Sequence, residues 1–389
     1  MAAEISTLLE GQVAFDPGGD FETFYRAAPA KWAVYLMSDA DDRPIQLLCV
    51  KNLRASLKRR LGGDEQIGPS RKVNYREVVR HMRFRRVDSA FEADWLYYEI
   101  ARRLFPQTYQ GMIGFRPAWF VHVNPENPFP RYIKTTDLSR PGLYIGPVED
   151  KHAAARLIGL AEDLFDLCRY YNVLIEAPHG KACAYKEMGK CPAPCDGSIS
   201  MEQYRRLIEW SAQTLVDPAD AVRTHTRRMQ QAAAELRFET AAKIKGYVEQ
   251  LAQLGKGPLR HARLLKDLQF VAFEHGPWEG TVKVFLVTPG RIQPIACMTE
   301  DPSRPAELVR AVLTAAAEPL SLAMDSVATE RIGIAAHHLF APQKAGHGVF
   351  VRLDELDEPA ILKAYRELRK RPLEEQSEAE GVLKELQAL

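Results

Sequence analysis

The chain has 389 residues, of which 46% are hydrophobic and 26% charged, and its formal net charge is +1. Such a composition excludes wholesale disorder, and the length is sufficient for two or three domains with separate cores. No run reaches the roughly 18 apolar residues of a membrane span, and the first residues lack the basic and apolar regions of a secretory signal. We therefore predict a cytoplasmic protein without a membrane partner, whose cysteines stay reduced.

The first predicted unit is a small α/β domain at residues 30–110. Its expected elements are strands at 32–37, 44–50 and about 82–87, a basic helix at 52–61 and a longer helix at about 89–104. Ser89 and Glu92 fit a capping box, in which the serine oxygen accepts a helix amide and the glutamate reaches back to the amide of Ser89. The longer helix is therefore expected to begin next to Ser89.

The central part of the chain changes from loops to helices. Residues 111–150 are rich in proline, glycine and aromatic residues and predict short strands and loops. Helix is expected at 151–168 and 200–254, separated by a cysteine-containing loop. We assign 111–215 to a linker and a four-cysteine, metal-binding helical domain, and 216–255 to an antiparallel helical hairpin.

The last part of the chain predicts a small α/β region at 262–389 with no assigned role. Residues 270–273 and 282–287 alternate like paired strands, and a charged helix is expected from Glu358. The overall prediction is thus an α+β, multidomain protein.

Four of the six cysteines form the most informative pattern in the sequence. Cys168, Cys183, Cys191 and Cys195 are separated by fourteen, seven and three residues, and prolines and glycine stiffen the last loop. Four thiolates suit either a tetrahedral zinc ion or an iron–sulfur cluster. The lack of paired C-x-x-C knuckles favours the cluster modestly, and four unrelated buried thiols are the remaining alternative.

Other candidate metal ligands are interpreted as structural. Cys49 and Cys297 lie in apolar, strand-like runs and are expected to be buried thiols. His337 and His338 are adjacent, and on a strand their side chains would point to opposite faces. We therefore predict no shared metal ion at this histidine pair.

The residues from Ala182 to Cys195 end in Gly-Lys-Cys-Pro-Ala-Pro-Cys. This segment resembles one in the UvrC family of bacterial excinucleases that ends in G-x-C-x-x-P-C, and Cys168 matches an upstream family cysteine. Phe129–Arg131 and Tyr144–Pro147 match the P-R and Y-F-G-P landmarks of that family in order. The resemblance covers roughly residues 30–290 and implies that the four cysteines hold a 4Fe-4S cluster, with zinc as the alternative.

The resemblance also implies a GIY-YIG nuclease-like module at the N-terminus, with two of its catalytic residues replaced. Tyr35 takes the position of the first tyrosine, and Glu99 takes that of the metal-binding glutamate. Gln46 stands at the second tyrosine position and Ser56 at the catalytic arginine position. The site is therefore expected to be impaired or inactive. The alternative is an active endonuclease that uses Tyr35, Glu99 and a Mg²⁺ or Mn²⁺ ion.

Basic residues in the same module suit contacts with DNA phosphates. The candidates on or beside the basic helix are Lys51, Arg54, Lys58, Arg59 and Arg60. A further basic stretch runs from Arg71 to Arg86, and an ordinary solvated face is the alternative for both. Arg59 or Arg60 is a candidate replacement for the missing catalytic arginine, because it follows Ser56 by about one helical turn.

Leu236 to Ala242 lies at a break between two amphipathic helical runs. The segment resembles the UVR motif, L-x-F-E-x-A-A, through which the excinuclease B and C proteins dock on one another. This implies a helicase-like excinuclease B partner that contacts Leu236, Phe238 and Glu239, the alternative being an ordinary helix pair. Together these resemblances imply a DNA-binding nucleotide-excision-repair protein that lacks the family's RNase H-like and helix-hairpin-helix domains.

Overall fold

A computed structural model describes residues 7–62, 74–114, 117–298, 305–318, 324–341 and 347–371. Over these ranges the chain forms three four-stranded sheets, all of whose strand pairs are antiparallel, surrounded by helices. The predicted α+β class is confirmed. None of the helices in the described ranges has the length and apolar character that a membrane span requires.

The N-terminal unit contains a sheet with the strand order β1-β4-β2-β3. Its elements are β1 (Gly11–Ala14), α1 (Phe21–Ala27), β2 (Ala33–Ser38), β3 (Pro44–Val50), α2 (Leu53–Leu61), α3 (Tyr75–Val78), β4 (His81–Arg86), α4 (Ala90–Leu104) and α5 (Tyr109–Met112). The expected strands and the two longer helices are present within one residue of their predicted bounds. Helix α2 begins at Leu53 because the Asn52 side chain accepts the amide of Ala55.

Only the Ser89 half of the predicted capping box is present at the start of α4. The Ser89 hydroxyl accepts the Glu92 amide at 3.1 Å, as expected for an N-cap. The Glu92 carboxylate, however, accepts the amide of Asp88, at 3.0 Å, instead of that of Ser89. Lys283 also binds both oxygens of Glu92 at 2.7 Å, so this carboxylate ties the helix start to the C-terminal region.

The two faces of the N-terminal sheet have different coverings, because successive side chains of a strand point to opposite sides. Val34 and Leu36 of β2 belong to the core that contains α4. Tyr35 and Met37 belong to a separate core formed with α1 and α2. Tyr35 and helix α4 are therefore on opposite sides of the sheet.

The central unit combines the second sheet, of order β6-β5-β7-β8, with helices. Its elements are β5 (Trp119–Val123), β6 (Ile133–Thr135), β7 (Leu143–Val148), α6 (Lys151–Leu164), α7 (Tyr171–Leu174), α8 (Ala184–Glu187), α9 (Met201–Val216), α10 (Ala219–Ala234), α11 (Phe238–Leu251) and β8 (Arg263–Leu264). Helix α6 ends four residues before the predicted bound. A full capping box between Ser200 and Gln203 starts α9.

Helices α10 and α11 pack against each other as an antiparallel hairpin. The chain reverses at Glu235–Arg237, where Leu236 adopts a left-handed backbone conformation with φ of 60°. The predicted break between two helices at this point is confirmed.

The C-terminal unit contains the third sheet, of order β11-β10-β9-β12. Its elements are β9 (Phe270–His275), β10 (Val282–Thr288), β11 (Arg291–Met298), α12 (Pro305–Ala316), α13 (Ser326–Phe340), β12 (Val349–Arg352) and α14 (Glu358–Arg369). Phe285 of β10 and Ile332 of α13 lie in the same core as Phe91 and Leu96 of α4. The C-terminal and N-terminal units therefore share one continuous core. Residues 372–389 of the predicted region lie outside the described ranges.

Candidate metal and nucleic-acid sites

The loop between α6 and α9 carries the four-cysteine site, formed by Cys168, Cys183, Cys191 and Cys195. Cys168 follows α6, and its backbone amide donates to the Tyr204 hydroxyl of α9 at 3.1 Å. Cys183 is the cap residue of the short helix α8. The first, third and fourth of these cysteines are buried, and Cys183 is partly exposed. Helices α6 and α9 thus hold the start of the cysteine loop in place.

The four sulfurs are close enough to affect one another's charge. A hydrogen bond between the Cys168 and Cys191 thiols lowers the pKa of Cys191 and raises the pKa of Cys168. Burial raises the pKa of Cys195, and Asp196, Cys191 and Cys183 add to this shift. The structure therefore brings all four predicted ligands into one region.

The donor set is compatible with both candidate metals, since four thiolates suit a tetrahedral zinc ion and an iron–sulfur cluster alike. Across the described chain, the only group of three candidate ligands whose atoms all lie within 4.8 Å of one another does not include a cysteine.

Tyr35 lies in one group with Ser56 and Gln46, the residues at the two altered catalytic positions. It is fully buried, and its hydroxyl lies 2.9 Å from the Ser56 hydroxyl. Arg60 donates to Gln46 at 3.4 Å. Burial raises the pKa of Tyr35, and the charge of Arg60 opposes this rise. Ser56, at the expected arginine position, therefore serves as a hydrogen-bond partner of the tyrosine.

Glu99 lies away from that group. It is buried on α4, and its carboxylate accepts the Arg331 Nε of α13 at 2.7 Å. Arg102 and Arg103 approach the same carboxylate at 3.5 and 3.8 Å. Three guanidinium groups therefore surround the predicted metal-binding carboxylate, and α4 lies on the face of the sheet opposite Tyr35.

Three of the predicted DNA-binding residues make contacts within the protein. Arg54 donates to the backbone oxygens of Ala28 and Arg26 at 3.0 and 3.3 Å. The Lys51 ammonium lies 5.9 Å from the Trp32 ring. Arg60, besides its bond to Gln46, lies over the ring of Tyr75.

Lys58 and Arg59 are exposed near the end of α2. They form a small positive surface that is accessible to a phosphate backbone. In the second basic stretch, Arg71 and Lys72 lie outside the described residues. Arg83 forms a bidentate ion pair with Asp42, at 2.9 and 3.0 Å.

The hairpin tip, Glu235–Glu239, exposes the predicted partner-binding residues. Leu236 is 73% exposed and Phe238 is 65% exposed. Glu239 is also exposed. Because neither apolar side chain contributes to the core, both are available to a second surface.

Two interpretations of cysteine and histidine residues were wrong. Cys297 is exposed and not buried, whereas Cys49 is partly buried and accepts the Trp32 indole N–H at 3.3 Å. His337 and His338 lie on helix α13 and not on a strand, so their side chains are not forced to opposite faces. Their ligand atoms lie within 4.8 Å of each other and of an oxygen of Asp94. Sequence reasoning missed this group, as it missed Arg331, because the partners come from distant segments.

Parts of the chain are similar to known proteins. Residues 118–213, which include the four-cysteine site, match a family model described as the UvrC/Cho excinuclease middle domain. The UvrABC system protein C of Salinispora arenicola is 27% identical over 291 residues, or 69% of this chain and 42% of that protein. The proteins of the same name from Caldanaerobacter subterraneus subsp. tengcongensis and Acetivibrio thermocellus are 27% and 23% identical, over 59% and 70% of this chain.

These matches show that the chain is a UvrC-like protein. The chain spans less than half of the length of these three relatives, which it covers to 42%, 37% and 44%. No solved structure matches the chain.

Proposed function

We propose that this chain is a DNA-binding protein of nucleotide excision repair whose GIY-YIG-like site is impaired or inactive in cleavage. The observation that carries the proposal is the ion pair between Glu99 and Arg331. A carboxylate neutralised by a guanidinium at 2.7 Å is a poor ligand for a divalent cation, since the cation must first displace that arginine.

The residues around Tyr35 support the same conclusion. Phosphodiester cleavage needs positive charge at the phosphate, where negative charge builds up in the transition state. Ser56 offers only a hydroxyl at the expected arginine position, and that hydroxyl is engaged with Tyr35. Tyr35 and Glu99 also lie on opposite sides of the sheet, so they do not face a common phosphate.

The four-cysteine site would hold a 4Fe-4S cluster, with zinc as the alternative. Support comes from the donor set and from the mutual proximity of the thiols. When bound, the cluster would join the end of α6 to the loop before α9. Its role would be to stiffen the central unit between the N-terminal unit and the hairpin.

The hairpin tip would dock a helicase-like excinuclease B protein. The relatives are named as components of a UvrABC system, and Leu236 and Phe238 are exposed at a helix reversal. Exposed aromatic residues that are rigidly presented are typical anchors of protein interfaces. DNA would contact the exposed Lys58 and Arg59 at the end of α2.

A nicking assay on lesion-bearing supercoiled plasmid, with Mg²⁺ or Mn²⁺, tests the impaired site. We expect the wild-type chain to bind the plasmid and to leave it supercoiled, like the matched variant Glu99→Gln. Cleavage by the wild type that Glu99→Gln abolishes would overturn the proposal.

The second candidate is an active endonuclease, and the position of Arg60 favours it. This arginine donates to Gln46, and its charge opposes the rise that burial causes in the pKa of Tyr35, so it is a candidate replacement for the missing arginine. If the site is active, Arg60→Ala should reduce nicking as strongly as Glu99→Gln. If nicking by the wild type and both variants is equally absent, this candidate is rejected.

A further inference from the structure

A group of three metal-ligating side chains lies between α4 and α13, away from the four-cysteine site. Asp94 is on the exposed side of α4, and His337 and His338 are consecutive on α13. One ligand atom from each of the three residues lies within 4.8 Å of the other two. We propose that Asp94, His337 and His338 bind one divalent first-row transition-metal ion, such as Zn²⁺.

The contact between Asp94 and His338 already has nearly the separation that a shared metal requires. Nε2 of His338 lies 2.9 Å from Oδ2 of Asp94. Two ligands about 2.1 Å from a tetrahedral zinc ion lie roughly 3.4 Å apart. A shift of a few tenths of an ångström therefore converts this hydrogen bond into a pair of metal bonds, with the metal replacing the shared proton.

The two histidines have different surroundings. The side chain of His338 is only 5% exposed and packs edge-on against the Phe91 ring at 5.3 Å. His337 is exposed, and its ring centre lies 5.1 Å from that of His338. The core therefore holds His338 in place, whereas His337 and Asp94 lie on the solvent side, from which an ion would enter.

The chemistry of the donor set defines the class of ion. Two imidazoles and one carboxylate suit zinc and neighbouring transition metals, whereas Mg²⁺ and Ca²⁺ prefer oxygen ligands alone. Among the described residues, no lysine or arginine forms an ion pair with Asp94, so no fixed cation competes for its charge. Three protein ligands leave at least one position for water.

The position of the site gives the ion a structural role. Asp94 and His338 are separated by 244 residues, and the helices that carry them are part of the core shared by the N-terminal and C-terminal units. A bound ion would therefore clamp α13 against α4. The same helix pair carries Arg331 and Glu99, so the clamp would also reinforce the ion pair that occupies the nuclease-like site.

Titration with Co²⁺ tests the proposal, because cobalt bound by nitrogen and oxygen differs spectroscopically from cobalt bound by thiolates. The chain, purified with its four-cysteine site intact, is titrated and compared with His337→Ala, with Asp94→Asn and with the exposed control His152→Ala. We expect one cobalt equivalent with visible ligand-field bands and no thiolate charge-transfer band. That equivalent should be present in the control, and both ligand variants should bind it at least about tenfold more weakly.

Thermal unfolding with and without Zn²⁺ gives a second readout. We expect Zn²⁺ to raise the Tm of the wild type and of His152→Ala, and to raise it much less for the two ligand variants. Equal stoichiometry and affinity in the wild type and in His337→Ala would overturn the proposal, and so would a spectrum from thiolate-bound cobalt alone. Circular dichroism of the variants without metal confirms that each is folded.

Discussion

The side chain of Phe238 gives the sharpest test of the hairpin as a docking element. An aromatic side chain buries about 150–250 Å² when fully enclosed, and 65% of Phe238 is exposed in the free chain. Full enclosure by a partner would therefore remove about 130 Å² more, worth about 3 kcal/mol at ~25 cal/mol per Å². Phe238→Ala should then weaken binding to an excinuclease B protein by up to roughly 200-fold.

Isothermal titration calorimetry or surface plasmon resonance measures this loss directly. Trp278→Ala is a matched control, because Trp278 is also an exposed aromatic residue, at 69%, but lies in the turn between β9 and β10. We expect the control to bind like the wild type. Since Phe238 contributes little to the core, its replacement should also leave the unfolding free energy within about 0.5 kcal/mol. Unchanged affinity in Phe238→Ala would refute the anchor role.

Two further predictions concern DNA binding and pH. Replacing Lys58 and Arg59 together by alanine should reduce the slope of log K against log salt for duplex DNA by about 1.8, the value for two phosphate contacts. Alanine at the exposed control pair Lys363 and Arg366 should leave the slope unchanged. If fluorescence-anisotropy titrations give the same slope for the wild type and for the Lys58 and Arg59 double variant, this surface is rejected. Burial raises the pKa of Glu274 to about 8 from 4.5. Protonated Glu274 therefore stabilises the folded chain, and this contribution is fully present below pH 4.5 and is lost as the pH rises through 8. The free energy of unfolding falls by at most about 1.4 kcal/mol per pH unit over this range. Urea unfolding should therefore show the wild type losing stability relative to Glu274→Gln between about pH 5 and 8, and parallel pH profiles would contradict it.

Local patterns in the sequence predicted much of the fold. Strand β3 has the predicted bounds, and the predicted N-cap Ser89 starts α4, because these signals depend on a few neighbouring residues. The spacing of the cysteines likewise predicted that four thiols would be close together. Each of these features is encoded over at most about 30 residues.

Contacts between distant segments were not predictable in the same way. The core shared by α4 and α13 joins residues more than 200 positions apart, and Arg331 reaches Glu99 only through that packing. The histidine pair was interpreted as lying on a strand, whereas α13 is a helix started by the N-cap Asp325. Burial on a helix and burial in a strand give similar short apolar runs, so periodicity alone did not distinguish them.

The four-cysteine site is central to the proposed function, since its thiols link the family resemblance to the chemistry of the chain. Anaerobic purification followed by iron, sulfide and zinc analysis and an absorption spectrum tests this site directly. We predict about four irons and four sulfides for each chain, with a broad visible thiolate–iron band that Cys191→Ser reduces strongly. A single zinc ion would contradict the cluster, and a chain that binds neither iron nor zinc at these cysteines would contradict the metal site itself.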